Sequence, residues 1–274
     1  MTRGLRRVKS SVRRITTSGE RLTVAAMDSL RRGSRTALYP PSAGLRLGNL
    51  LYLWLNAHHR TASGQPTFVR ESPGMTQWCT EFPALRSLTL AVADTRFSDR
   101  REWDAHWQYQ RFDVDFDRTQ LRAFIQDVFD DRVQADTSDR LVVNVRRGDF
   151  YGTEFENKHG FEIGAYVEAA LAEVEPGGDV LVVSDDADWC RENLGGLLVG
   201  RSSIEYAEPD PLKNLLALAG ARRLIGANST FSYWGAYIAD TFHEDAQVIM
   251  PRFHARMPHG DDAYQLDPRW TVIG

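Results

Sequence analysis

The chain has 274 residues, of which 42% are hydrophobic, and this is enough for one large domain or for two smaller domains with separate cores. Its two cysteines, Cys79 and Cys190, provide neither a disulfide framework nor a metal-binding cluster, which favours a reducing compartment. No apolar run approaches the roughly 20 residues that cross a bilayer, and the N-terminus lacks the apolar stretch of a signal peptide. We therefore expect a cytoplasmic protein.

The net charge of -4 conceals a basic arm at the N-terminus. Residues 1–35 contain ten Arg or Lys and two acidic residues, a net +8, which leaves -12 for the rest of the chain. Leu5, Val8, Val12 and Ile15 recur at helical spacing, so the arm is compatible with an amphipathic helix on an anionic membrane. A solvated terminus explains the pattern equally well. Nucleic acid is not an expected partner, because the acidic body carries no basic stripe or stacking motif.

The first half of the chain reads as mixed helix and loop. Apolar spacing predicts helices over Gly48–Arg60 and Thr119–Phe129, and the polar stretch Asp130–Asp139 predicts a linker. The predicted divisions are therefore an N-terminal arm, a first domain and a second domain: 1–35, 36–135 and 136–274.

Short apolar runs alternate with helical segments throughout the second domain. The runs predicted to form strands are LVVNV, DVLVVS, SIEYA, RRLIGA and QVIMP. The helices predicted between them cover Glu162–Glu175, Ala187–Leu194, Leu212–Gly220 and Phe231–Asp240. This alternation is typical of an α/β domain with a parallel sheet, in which ligands bind beyond the carboxyl ends of the strands.

The strand LVVNV runs directly into Arg146, Arg147, Gly148 and Asp149. Guanidinium groups stay charged at physiological pH and can bind phosphate through two hydrogen bonds, so adjacent arginines at a strand end suggest a phosphate site. An ordinary ion-paired loop is the alternative explanation. Residues at the other strand ends distinguish a phosphate site from an ion-paired loop.

Ser184, Asp185 and Asp186 end the next predicted strand and precede a helix, whose free backbone N–H groups they can cap. Asp185 could instead accept hydrogen bonds from the edge of a guanine. A further alternative is a metal site, in which Asp186 and Asp188 form a D-x-D pair that binds a divalent ion and a nucleotide diphosphate.

The strand RRLIGA leads into GANSTFSYW, which places small polar residues at the start of a helix. Asn228, Ser229 and Thr230 supply the polar side chains, and the helix dipole and first-turn N–H groups favour a bound anion. The alternative is a plain N-cap, with Phe231 and the aromatic residues after it in the core. Because three strand ends offer anion-binding or purine-binding groups, we favour a nucleotide diphosphate site.

In the first domain, the segment GLRLGN precedes the first long helix. Gly44 and Gly48 permit close backbone approach, Arg46 adds a cation, and Asn49 can cap the helix or contact a ligand in a cleft between the domains. The seven histidines of the chain show no metal-ligand spacing, so core or surface positions are expected for them.

Taken together, these segments resemble the bacterial α-1,2-fucosyltransferases of glycosyltransferase family eleven, within the fucosyltransferase superfamily. GLRLGN, NVRRGDFY, VVSDDADWC, GANSTFSYWGAY and VIMP follow the family's order of motifs over about residues 40–252. R-R-G-D and N-S-T-F-S-x-W-G-A are the specific matches. The resemblance implies a GT-B-like α/β fold, with two Rossmann-like domains facing across a cleft. It also implies an inverting, metal-independent enzyme that needs no cofactor.

By this resemblance, GDP-β-L-fucose binds the second domain as donor, and a glycan acceptor binds the first. Carry-over of the motifs gives Arg147 the contact with the β-phosphate and Asp185 the guanine, and it gives Arg146 either an assisting role or a structural ion pair. The other donor-site residues that the resemblance implies are Asn144, Ser184, Asn228, Ser229, Thr230, Phe231 and Ser232.

The chain departs from the family motifs at two positions, since Asn144 takes the place of a His before the Arg pair and Leu50 the place of a Gln. RRGDFYGTE also resembles R-R-T-D-x-x-G-T-E of the core α-1,6-fucosyltransferases, whose final Glu is the proposed base. We therefore expect Glu154 to deprotonate the acceptor hydroxyl, with Asp149 as second candidate. A solvated loop position is the alternative for Glu154.

The expected function is transfer of L-fucose to a sugar hydroxyl, O2 of a galactose-like unit in a surface glycan or its lipid-linked precursor. Two alternatives stay open. One is a metal-dependent glycosyltransferase that uses Asp186 and Asp188 with another nucleotide sugar, and the other is a catalytically silent protein that binds a nucleotide or a glycan. The expected location is cytoplasmic, with residues 1–35 as the segment that would contact the inner membrane face.

Overall fold

The computed structural model describes most of the chain beyond its basic arm, in the ranges 33–103, 106, 109–133, 139–258 and 260–274. The expectations for the arm and for the middle of the predicted linker lie outside these ranges. At the end of the arm, Arg35 donates two hydrogen bonds to the buried carboxylate of Asp99, at 2.9 and 2.8 Å. No helix among the described residues is long and apolar enough to cross a lipid bilayer.

The first half forms a small parallel sheet with helices around it. Its strands are β1 (Thr36–Leu38), β2 (Thr67–Arg70), β3 (Thr89–Leu90) and β4 (Arg100–Glu102), which pair in the order β3-β2-β1-β4 within the described residues. Its helices are α1 (Leu47–Ala62), α2 (Thr76–Glu81), α3 (Ala84–Ser87) and α4 (Arg118–Phe129), with 3-10 turns at Pro73–Met75 and Val92–Asp94. The two predicted helices are confirmed as α1 and α4. The sheet was not expected from the mixed helix-and-loop pattern.

The second half forms a larger parallel sheet in which strands and helices alternate. Its strands are β5 (Leu141–Val145), β6 (Asp179–Ser184), β7 (Ser203–Tyr206), β8 (Arg223–Ile225), β9 (Gln247–Pro251) and β10 (Thr271–Ile273). Its helices are α5 (Glu156–His159), α6 (Ile163–Ala172), α7 (Ala187–Leu194), α8 (Pro211–Ala219) and α9 (Thr230–Phe242). The predicted alternation is confirmed, and β10 is an additional strand.

The order of this sheet sets which loops become neighbours. In the part of the chain that the structure describes, the order is β10-β9-β8-β5-β6-β7, and every pair is parallel. Val143 of β5 aligns with Val182 of β6 and with Ile225 of β8. The loops that follow β9, β8, β5, β6 and β7 therefore lie side by side along one edge, where ligands of parallel sheets bind.

Helix α9 packs the two halves of the chain together. Its Trp234 is fully buried, with its ring 5.1 Å from that of Tyr52 in α1 and 5.6 Å from that of Phe124 in α4. Gly235 lies against α8, where an added Cβ would come within 2.5 Å of Leu218 Cβ. Large aromatic side chains contribute strongly to core stability when buried. This packing fixes the start of α9 beside the start of α1.

Candidate active site

A cavity of about 480 Å³ lies at the carboxyl edge of the larger sheet and extends to the start of α1. Its volume is in the range of sites that hold a small organic ligand. Most of the residues predicted to form the site line it: Arg46, Gly48, Asn49, Asn144, Arg146, Asp149, Ser184, Asp185, Asn228, Ser229, Thr230 and Phe231. The predicted residues that are not among its lining residues are Gly44, Arg147, Glu154 and Ser232.

Arg146 is the arginine of the pair that lines the cavity. Its guanidinium forms short ion pairs with Asp185 and with Asp149, and it lies 5.4 Å from the centre of the Phe150 ring. The side chain is 19% exposed, so it is held in place yet reachable from the cavity. A fixed guanidinium at this position can bind an anionic oxygen through its remaining N–H groups.

Arg147 is not among the residues that line the cavity. Its guanidinium lies 4.5 Å from the centres of both the Tyr151 and Trp189 rings, and its Nε donates to Asp186 Oδ2 at 3.0 Å. Cation–π contacts of this kind stabilise the packing between the loop and α7. Of the two arginines only Arg146 lines the cavity, and it also has the structural ion pairs that the motif allowed for it, while the contact of Arg147 with a phosphate stays a prediction.

Asp185 holds the loop that carries the arginines. Its Oδ1 accepts hydrogen bonds from the backbone N–H groups of Arg147 and Gly148, at 2.8 and 3.0 Å. A Cβ at Gly148 would lie 2.7 Å from Asp185 Oδ2, so a larger residue there would push the carboxylate away. Asp185 lines the cavity, but these bonds occupy much of its hydrogen-bonding capacity, and its role with guanine stays a prediction.

The two candidate bases differ in position. Asp149 lines the cavity and is paired with Arg46 at 3.1 Å, in addition to Arg146. Its side chain is 39% exposed. Glu154 is exposed on the loop before α5 and is not among the residues that line the cavity. Geometry therefore favours Asp149 over Glu154 as the carboxylate that can reach a bound hydroxyl.

Two helix starts converge on the cavity without side-chain caps. Asp117 and Asp210 cap α4 and α8 through their side chains, whereas no side chain of the described residues caps α1 or α9. First-turn N–H groups have no partner inside a helix, and together with the helix dipole they attract anions. The starts of α1 and α9 line the same cavity as Arg146.

Gly48 allows these two helix starts to touch. An added Cβ would lie 2.5 Å from Thr230 Oγ1 and 2.7 Å from Phe231 N. Thr230 Oγ1 also lies 3.5 Å from Asn49 Oδ1, at the limit of a hydrogen bond. At Gly44 an added Cβ would meet only Ser42 Oγ, at 3.7 Å, so the close approach that the sequence suggested for both glycines occurs at Gly48.

Several predicted donor-site side chains are used within the turns themselves. Ser232 is fully buried, and its Oγ accepts from Ala227 N at 2.8 Å, so it holds the turn into α9 and does not reach the cavity. Ser184 Oγ accepts from Asp186 N at 3.0 Å. Asn144 Nδ2 donates to Val183 O at 2.9 Å, which joins the ends of β5 and β6.

The proposed D-x-D metal pair is split between two arginines. Asp186 caps α7 by accepting from Trp189 N at 3.2 Å, and it binds Arg147. Asp188 is 91% exposed and pairs with Arg191 at 2.6 Å. Neither carboxylate lines the cavity, and the described part of the chain contains no group of three or more His, Cys, Asp or Glu side chains arranged to hold a metal ion.

The cavity also has lining residues that the motifs did not indicate. At the end near β7, they are Pro209, Pro211 and Asn214. At the other end and along the opposite wall, they are Trp78, Tyr109, His159 and His254. His254 follows β9 by three residues, so its place at a strand end was the available signal.

Comparisons with known proteins identify the family of the chain. The profile of the family described as Glycosyl transferase family 11 matches residues 95–273, which is more than half of the chain. The chain is also similar to the O-antigen biosynthesis glycosyltransferase WbnK of Escherichia coli, with 31% identity over 129 residues. That match covers 44% of this chain and only 41% of the length of WbnK. No solved structure matches the chain. The family match, together with its motifs at the cavity, shows that the chain belongs to glycosyl transferase family 11.

Proposed function

We propose that this protein transfers L-fucose from GDP-β-L-fucose to a hydroxyl of a glycan, with inversion at the transferred carbon. The observation that carries the proposal is the convergence of Arg146 and the uncapped starts of α1 and α9 on one cavity, in a chain of glycosyl transferase family 11. A leaving nucleoside diphosphate develops negative charge, and preorganised donors aimed at that charge lower the barrier to transfer.

In the proposed reaction, the acceptor oxygen bonds to C1 of fucose while the bond from C1 to the β-phosphate oxygen breaks. Arg146 and the first-turn amides of α9 stabilise the charge that grows on the departing oxygen. The proton of the acceptor hydroxyl passes to Asp149, the carboxylate that lines the cavity beside Arg146. Asp149 replaces Glu154 as our first candidate for the base, because Glu154 lies outside the cavity.

The nucleoside is assigned to the end of the cavity beside β6 and β7. Pro209, Pro211 and Val183 supply apolar surface there, and Asn214 supplies an amide that can read the edge of a base. Asp185 stands between this end and Arg146. The diphosphate then lies over β5 and β8, where the arginine and the start of α9 meet.

We further propose a GT-B-like arrangement, in which residues 36–135 bind the acceptor and residues 136–274 bind the donor. The support is that both segments contribute to the cavity lining. WbnK is described as an enzyme of O-antigen biosynthesis, which favours a surface-polysaccharide unit as acceptor, with O2 of a galactose-like sugar as the expected position. The proposed location is the cytoplasm, at the inner membrane face through residues 1–35, and no metal or cofactor is proposed.

The test is a transfer assay with purified protein and a small panel of galactosides. GDP-fucose, GDP-mannose and UDP-galactose are supplied separately, with and without EDTA, and products are analysed by mass spectrometry and NMR. We expect one deoxyhexose to be added from GDP-fucose alone, in α linkage, with no effect of EDTA. Transfer from the UDP-sugar would contradict the proposed donor. GDP binding without transfer to any acceptor would favour a silent binding protein.

A single variant separates the metal-dependent alternative. Asp188→Ala removes one carboxylate of the D-x-D pair. The only ion pair lost with it is the exposed one to Arg191. We expect turnover to change little, because Asp188 does not line the cavity and its exposed ion pair contributes little to stability. The alternative would be supported if Asp188→Ala had no turnover and if wild type, inactivated by EDTA, regained activity only with a divalent ion.

A further inference from the structure

One end of the cavity is lined by polar groups that the proposed reaction has not used. It lies over β8 and β9 and includes His159, Asn228 and His254, which we call the neutral cluster. Asn228 is 1% exposed, and its Nδ2 donates to the backbone carbonyls of His159 and His254, at 2.9 and 3.1 Å. These two bonds fix the orientation of the Asn228 amide.

Two buried atoms of the neutral cluster are left without partners. Asn228 Oδ1 and His159 Nδ1 are buried at the cavity wall and have no hydrogen-bond partner within the described residues. Natural proteins contain few such atoms, because a buried polar group without a partner destabilises the fold. Both residues line the cavity, so a ligand hydroxyl is a direct candidate for the missing partner.

The neutral cluster differs in charge from the rest of the cavity. Burial lowers the pKa of His254 to about 4, and burial also lowers the pKa of His159, so both rings are neutral at neutral pH. The charged groups that act on His159 are Lys158, which disfavours its protonation, and Asp149, which favours it. An uncharged group with several hydroxyls suits this end, whereas the diphosphate suits the end that carries Arg146.

The strand order places these groups in a line. Across β9, β8, β5, β6 and β7 the loops contribute, in turn, His254, Asn228, Arg146, Asp185 and Pro209. A nucleotide sugar has the linear order sugar, diphosphate, nucleoside. With the diphosphate at Arg146 and the nucleoside towards β7, the sugar is directed over β8 and β9.

We infer that the neutral cluster is the subsite for the transferred hexose, in which Asn228 Oδ1 and His159 bind its hydroxyls and position C1 beside Arg146. This inference rests on the proposed function, since it assumes a nucleotide sugar in the cavity. His159 is the residue best suited to a test. Its ring stacks on Phe150, at 4.3 Å and 12° between the planes, so a phenylalanine can keep the stack while losing both ring nitrogens.

The experiment compares the affinities of wild type, His159→Phe and His159→Gln for GDP and for GDP-fucose by calorimetry. His58→Phe, on α1 and paired with Asp127, is the matched control. We expect His159→Phe to bind GDP within about twofold of wild type, which also shows that it is folded. Its affinity for GDP-fucose should fall about tenfold, the factor that corresponds to loss of one hydrogen bond. His159→Gln should bind GDP-fucose more tightly than His159→Phe does. His58→Phe should bind both GDP and GDP-fucose as wild type does.

The outcomes separate this inference from the proposed function. If wild type binds GDP but His159→Phe retains full affinity for GDP-fucose, the hexose subsite is overturned and the GDP site stands. Equal weakening of GDP and GDP-fucose would place His159 at the nucleotide and also overturn it. Failure of wild type to bind GDP would overturn the proposed function and the inference together.

Discussion

The different placement of Arg146 and Arg147 gives a sharp kinetic prediction. Arg146→Ala removes the guanidinium that lines the cavity between Asp149 and Asp185. Loss of a preorganised donor to the leaving group costs about 2.7–4 kcal/mol, so turnover should fall roughly 10²–10³-fold.

Arg147→Ala should act mainly on stability. It removes two cation–π contacts, with Tyr151 and Trp189, each worth about 0.5–2 kcal/mol depending on exposure. The ion pair with Asp186 adds little, because that carboxylate is 35% exposed and screened by solvent. We expect the free energy of unfolding to fall by about 1–3 kcal/mol, with turnover of the folded fraction within about tenfold of wild type.

The assay measures initial rates of fucosyl transfer at saturating donor, with urea unfolding of the same preparations. Arg146→Lys and Arg147→Lys serve as controls, since a lysine keeps the charge but loses the planar fork of donors. A loss of turnover of 10²-fold or more in Arg147→Ala, with Arg146→Ala still active, would contradict these roles of the two arginines.

Three further predictions concern the helix starts, pH and the basic arm. Gly48→Ala forces a Cβ against the start of α9, so it should lower the free energy of unfolding by about 1–3 kcal/mol and weaken GDP binding. Gly44→Ala should change neither quantity. Equal changes in the two variants, measured by urea unfolding and by calorimetry with GDP, would contradict this. Burial lowers the pKa of His254 from 6.5 to about 4, so the free energy of unfolding should decrease as the pH drops from about 6.5 to 4, by about 2 kcal/mol at pH 5. In urea unfolding, His254→Gln should show a smaller decrease over this pH range. The same decrease in both proteins would refute this role of His254. Deleting residues 1–32, which keeps the ion pair of Arg35, should lower sedimentation with anionic vesicles but leave transfer to a soluble acceptor unchanged; unchanged sedimentation would refute the membrane role.

The larger sheet was predictable from the sequence because its strands are continuous apolar runs. All five residues of LVVNV are buried, as are five of the six in DVLVVS. The smaller sheet was not predictable in the same way. Its strands have two to four residues, and one of them reads RRE, which is too short and too polar for a period-two pattern.

The place of the site was predictable, but the use of individual side chains was not. Parallel strands bring their carboxyl ends together, so motifs at the ends of β5, β6 and β8 had to meet. Which of the two arginines lines the cavity depends on the rings of Tyr151 and Trp189, which bind the guanidinium of Arg147. These two rings come from different elements of the chain. His159 joins the cavity through its stack on Phe150, which no spacing along the chain indicates.

The most direct test of the donor site is a crystal structure of the protein with GDP. We predict the diphosphate within hydrogen-bond distance of the Arg146 guanidinium and of the backbone N–H groups at the start of α9, with the base beside Pro209 and Pro211. A diphosphate bound through Arg147, or through a metal ion at Asp186 and Asp188, would contradict the account.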